Sequence, residues 1–149
     1  MLEMCEIIVF LLLFLISIFD IKNREFSIIL PCILLLFLIV YQCISRSFDW
    51  LFCGAGMVPG ALLILFHYLT RGGVGLGDGI VIGVLGFHLG LWESLSLLFL
   101  SLVLEMIFTV GVLVKKRIRK EAVSRHMTIP FIPFVTGGYL LLNMCCQAL

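Results

Sequence analysis

Two aspartates stand at the edges of apolar runs. Asp20 follows the run Ile7–Phe19, and Asp78 precedes the run Gly79–Trp92. An ionisable residue beside or within a membrane-length apolar run is costly to keep there, which marks it as a functional candidate. Two carboxylates brought together in a low-dielectric site share one proton, because like charges that close do not both ionise. The ionised member can draw a proton from water while the protonated member donates to a carbonyl oxygen under attack. That is the chemistry of an aspartic peptide hydrolase, and it requires neither a metal nor a covalent intermediate. Asp78 sits in Arg71-Gly72-Gly73-Val74-Gly75-Leu76-Gly77-Asp78-Gly79. Glycines such as Gly75 and Gly77 free the backbone to enter the membrane edge and let another chain come close. Asp78 as a plain helix cap is compatible with any function. A phosphate loop is not, since neither G-x-G-x-x-G nor G-x-x-x-x-G-K-[ST] is completed.

The elements that must position this pair are apolar almost throughout. Hydrophobic residues make up 62% of the 149 residues and charged residues 13%, with a mean hydropathy of +1.25. A soluble domain carries about 25% charged residues, so the chain reads as an all-α membrane protein, a single domain over residues 1–149. Six runs can span: Ile7–Phe19, Phe26–Ile44, Trp50–Leu69, Gly79–Trp92, Ser94–Val114 and Ile129–Leu149. The first and fourth are short, roughly 20 Å of helix against a hydrocarbon core of about 30 Å. Each must therefore draw a polar neighbour into the membrane edge, tilt, or thin the bilayer. Those neighbours are Asp20 and Asp78, which places two carboxylates at similar depth on one face.

Basic residues orient the chain. Lys22 and Arg24 follow the first run, Arg71 the third, and Lys115, Lys116, Arg117, Arg119, Lys120 and Arg125 the fifth; only Arg46 lies on the other parity. That asymmetry puts both aspartates at the cytoplasmic face and both termini outside. The cluster from Lys115 to Arg125 is then a topology anchor, and no nucleic-acid partner is expected. The first run begins with Glu3 and Glu6 and lacks the basic start of a secretory signal. The six cysteines include no C-x-x-C pair, so neither a disulfide framework nor a metal site is expected. Gly79, Gly83, Gly86 and Gly90 form one stripe suited to close helix packing. His67 and His88 read as packing residues, and Trp50 and Trp92 as interfacial aromatics on the outer side. Glu105 lies in the middle of the fifth run and is expected to be buried, as polar glue between helices.

Three segments carry a family resemblance. Phe19-Asp20-Ile21-Lys22-Asn23-Arg24-Glu25-Phe26 resembles the first aspartate motif of the type IV prepilin leader peptidases. Gly75-Leu76-Gly77-Asp78, continued to Leu85-Gly86 and Leu89-Gly90, resembles their second, the G-x-G-D signature. Ile129-Pro130-Phe131-Ile132-Pro133-Phe134, followed by Gly137-Gly138, is similar to their last-span motif, so Pro130 and Pro133 join Gly75 and Gly77 as backbone support. The resemblance implies a multi-pass plasma-membrane peptidase with Asp20 and Asp78 as its catalytic pair and no cofactor. Its partner is a prepilin or pilin-like protein, whose basic leader it removes after a glycine at the cytoplasmic face. A homo-oligomer is compatible with it. Three departures stand out. Phe26-Ser27-Ile28 replaces a frequent isoleucine-proline-asparagine, and Ile80 replaces a common lysine. The cysteine-rich segment of the bifunctional members is absent, so N-methylation is not expected and the chain resembles the short, peptidase-only branch that serves tight-adherence pili.

Two rivals remain on the sequence. A presenilin or signal-peptide-peptidase type protease shares the aromatic-Asp pair and Gly-Leu-Gly-Asp. Against it, the P-A-L motif is missing, and the aspartates are three spans apart. A small proton- or cation-coupled transporter could use Asp20, Asp78 and Glu105 as ion sites, but no convincing internal repeat supports it.

Overall fold

The computed structural model describes residues 2–23, 29–44, 49–71, 75–118 and 130–148. They form six helices: α1 (Leu2–Asn23), α2 (Ile29–Ile44), α3 (Trp50–Leu69), α4 (Leu76–Leu89), α5 (Leu91–Ile118) and α6 (Ile132–Ala148). Phe26-Ser27-Ile28, Ile129 and the basic residues Arg24, Arg46, Arg119, Lys120 and Arg125 lie outside the described residues.

Helix α4 is the centre. Ten of its fourteen residues are buried, which explains why it is apolar all round and not on one stripe. Helices α2, α3, α5 and α6 pack against it, and α1 packs against α2 and α6. The glycine stripe does what its spacing suggested, with α3 as the partner. Gly60 meets the Gly83 backbone, Gly56 meets the Gly86 carbonyl, and a β-carbon at Gly79 would run into Ile64. Glycine here lets two backbones approach to a distance that no side chain allows.

Local signals set the helix ends. Asp49 caps α3 by accepting a hydrogen bond from the Leu51 N–H at 3.0 Å. At its other end the Thr70 hydroxyl donates to the Phe66 carbonyl at 2.6 Å, and Arg71 takes the left-handed conformation (φ 53°). Helix α4 stops at Gly90, whose φ of 81° suits glycine and where a β-carbon would strike the Phe52 ring. The chain then enters α5 at once. A stop one residue after Leu89 leaves late α4 carbonyls without helical partners. Gln42 of α2 fills one: its Nε2 donates to the Phe87 carbonyl at 3.1 Å, while its Oε1 accepts from Cys53 Sγ of α3 at 3.0 Å. One side chain thus ties three helices. Ser101 and Thr136 are buried, and their hydroxyls donate to carbonyls of their own helices, Leu97 and Ile132.

The outer faces are as apolar as the interior. Leu62, Leu65 and Phe66 on α3 and Phe99, Met106, Ile107 and Phe108 on α5 are all exposed. Continuous apolar surface of this extent is not tolerated in water. Helices α3 and α5 are long and apolar enough to cross a membrane, and Ile29–Ile44, Leu76–Leu89 and Ile132–Cys145 are shorter apolar helices. The chain has the build of a membrane protein.

Two expectations need correction. Helix α1 has 22 residues, about 33 Å at ~1.5 Å per residue, and extends past the apolar run Ile7–Phe19 at both ends. Asp20 lies within its last turn and so is part of the helix, not a neighbour of it. Helix α4 is short as expected, but it runs from Leu76 to Leu89 and includes Asp78.

Candidate active site

Asp78 is the third residue of α4, after an extended N-cap at Gly75 (φ −65°, ψ 126°). Its carboxylate folds back over that cap, so a β-carbon on Gly75 would collide with Asp78 Oδ2. An acid in the first turn interacts favourably with the helix dipole. Capping and chemistry therefore coexist at this residue. Gly77 and Gly79 are buried on either side of Asp78, and Gly79 fits against Gly60 and Ile64. The start of α4 is thereby seated on the middle of α3, which fixes the backbone that carries the carboxylate.

Asp20 is half-buried near the C-terminal end of α1. The Gln42–Phe87 hydrogen bond ties the end of α2 to the end of α4, so the start of α2, and the last turn of α1 that precedes it, stand at the same end of the bundle as Asp78. Helices α1 and α4 do not themselves pack together, whereas α2 and α6 each pack against both. Helices α2 and α6 thus hold the two aspartate-bearing helices in register.

Pro130 and Pro133 set the start of α6. The Phe131 carbonyl accepts from the Phe134 and Val135 N–H groups at 2.9 and 3.3 Å, opening the first turn. Pro133 falls in that turn, where a backbone N–H is not needed. Phe131 and Ile132 are buried. These residues support the helix that touches both aspartate-bearing helices.

Glu105 departs from expectation. It is half-buried and not enclosed by the bundle, although it is the fifteenth of the 28 residues of α5 and so stands at the middle of that helix, as its place in the fifth run suggested.

The remaining candidates are packing residues. His88 is half-buried with its ring edge-on to Tyr41 at 6.0 Å, and His67 lies against Tyr68 at 5.4 Å. Trp50 and Trp92 are exposed at the same end of the bundle, opposite the aspartates. Cys5, Cys32, Cys43, Cys53 and Cys145 are free thiols. Among the described residues no group of three His, Cys, Asp or Glu side chains is placed to hold a metal ion. Gln42 escaped the sequence reading, although a lone amide inside an apolar run is a signal that a buried carbonyl needs a donor.

The sequence profile of the type IV leader peptidase family matches residues 7–110, more than two thirds of the chain, and the match includes both aspartates. The chain belongs to the type IV leader peptidase family. Membership implies a peptidase. The proline motif at the start of α6 lies beyond the matched segment, so its support for the assignment is separate. No curated protein and no solved structure matches the chain.

Proposed function

We propose that this leader peptidase family member is an aspartic endopeptidase of the plasma membrane. It removes the basic leader of a prepilin or pilin-like protein at the cytoplasmic face, after a glycine. The observation that supports this reading is that Asp20, in the last turn of α1, and Asp78, in the first turn of α4, stand at one end of an apolar bundle. In this reading the six helices are six spans, with the N-terminus outside. The distribution of lysine and arginine supports that orientation.

Two carboxylates that share a proton supply both halves of peptide hydrolysis. The ionised one accepts a proton as water attacks the scissile carbonyl carbon. The protonated one donates to the carbonyl oxygen. Gly75 leaves room for the Asp78 carboxylate, and the Gly60–Gly79 contact keeps its backbone in place.

The test is leader removal by purified protein in detergent, with no ion gradient. The substrate is a peptide with a basic leader, a scissile glycine and an apolar helical stretch after it. Asp20→Asn and Asp78→Asn should each abolish cleavage. Full cleavage by either variant at equal protein level would remove the two-aspartate reading. Wild-type protein that never cleaves, yet carries protons or cations in vesicles, would favour the transporter instead.

A further inference from the structure

Three contacts set the register of α3 on α4. Gly56 lies against Gly86, Gly60 against Gly83, and Ile64 against Gly79. Each step moves one turn toward the C-terminal end of α3 and one turn toward the N-terminal end of α4, because residues three or four apart share a helix face. The next pair in that register is His67 with Gly75. Exposure along α3 agrees. Leu65, Phe66, Tyr68 and Leu69 are all exposed, whereas His67 between them is half-buried. His67 is therefore on the side of α3 that faces the bundle. Gly75 has no side chain to set against it. What covers Gly75 is the Asp78 carboxylate, folded back so that a β-carbon on this glycine would collide with Oδ2. An imidazole on α3 and the carboxylate of Asp78 thus stand on either side of one glycine.

We infer that His67 is a positioning residue: from the α4-facing side of α3, opposite Gly75, its ring holds the Asp78 carboxylate in the folded-back position from which it meets the peptide. This rests on the two-aspartate reading above and adds a residue to it. An aspartate side chain turns about two single bonds, so a bare glycine beneath it does not by itself fix where its oxygens point. An imidazole supplies both a wall and an N–H able to donate to a carboxylate oxygen. Tyr68 orients the imidazole in turn, with the two rings edge-on at 5.4 Å. Packing against Tyr68 and positioning of Asp78 are then two uses of one ring. Fixing a catalytic group in this way speeds the chemical step and leaves peptide affinity alone.

The role is read from the split between kcat and KM in the leader-cleavage assay. His67→Phe keeps a ring of similar shape but removes the donor. Its kcat should fall by about tenfold or more, with KM within about twofold of wild type and an unchanged melting temperature. His67→Gln keeps a donor and should recover most of the lost rate. Gly75→Ala already pushes the carboxylate from its seat, so adding His67→Phe to it should cost less than about threefold more. A wild-type kcat in His67→Phe would overturn the inference. So would a loss carried by KM or by melting temperature alone, equal losses in His67→Phe and His67→Gln, or fully multiplied losses with Gly75→Ala. If His67→Phe fails to reach the membrane, His67→Leu takes its place under the same criteria. Cleavage retained by Asp20→Asn or Asp78→Asn sinks the parent reading. Inactive aspartate variants beside a fully active His67→Phe sink this inference alone.

Discussion

Gly56 of α3 and Gly86 of α4 meet backbone to backbone, so that a β-carbon on either would overlap the other's carbonyl. At the neighbouring pair one turn along, a β-carbon on Gly60 would strike the Gly83 backbone, whereas one on Gly83 would lie in ordinary contact with Gly60 at 3.8 Å. Because Asp78 rides on α4, this seam positions the candidate site as well as the fold. Gly86→Ala and Gly56→Ala should each force the helices apart at a cost of about 1–3 kcal/mol, the usual range for over-packing. Gly54 is the internal control, since a β-carbon there meets nothing within 4 Å. Thermal unfolding in detergent should separate the two classes. If Gly86→Ala melts with Gly54→Ala, the close approach is not what holds α3 to α4.

Gln42 offers a second test of how the bundle is tied. Its amide satisfies the Phe87 carbonyl and accepts from Cys53 Sγ, and all three groups are buried. Gln42→Leu would remove both of these buried hydrogen bonds, a loss of about 1–3 kcal/mol. Cys53→Ser retains a donor to the Gln42 oxygen and should cost less. The comparison needs only melting temperatures of three proteins. A leucine variant as stable as wild type would mean that the carbonyl finds another donor.

Much of this arrangement was legible in the residues, but unevenly. The run Trp50–Leu69 matches α3 end for end, because Asp49 caps its start and the chain turns at Thr70 and Arg71. The run Ile7–Phe19 underestimates α1, because hydropathy reports where lipid is tolerated, whereas a helix continues through Glu3, Glu6 and Lys22, which are good helix formers. The glycine stripe announced a tight seam, but its partner on α3 could not be read from α4 alone. Placing Asp20 and Asp78 at one end follows from counting crossings. The point where α4 stops and α5 turns back does not. That stop is set by Gly90 and not by the polar Glu93.

Gly75→Ala should separate site geometry from stability. The backbone at Gly75, φ −65° and ψ 126°, is open to alanine, so no conformational strain is expected. The added methyl instead strikes the Asp78 carboxylate. Cleavage should fall by about tenfold or more, as displacement of a catalytic group by an ångström commonly does. The melting temperature should stay close to wild type. Equal losses of stability and activity would point to a folding role for Gly75.

The proposed orientation can be read with reporter fusions. Fusions after Arg46 and Glu93 should report outside, and fusions after Arg71 and Arg119 should report inside, following the basic residues. An outside signal after Arg119 would strand both aspartates on the wrong face for prepilin processing.

The deepest test concerns whether Asp20 and Asp78 act as one unit. If they share one proton, neither can substitute for the other, and removing the second after the first has little left to destroy. The Asp20→Asn, Asp78→Asn double variant should therefore be scarcely slower than either single variant, because groups that act together are not additive. The fold should survive, since asparagine is nearly isosteric and takes away a charge that is costly at the membrane edge. Wild-type cleavage should follow a bell-shaped pH dependence with two apparent ionisations that belong to the pair. Each single variant lacks one partner, and any residual rate should follow one ionisation at most. Both signatures come from a single leader-cleavage assay run across pH at matched protein levels. Additive losses in the double variant, or a bell that persists in either single variant, would mean that the two carboxylates act separately.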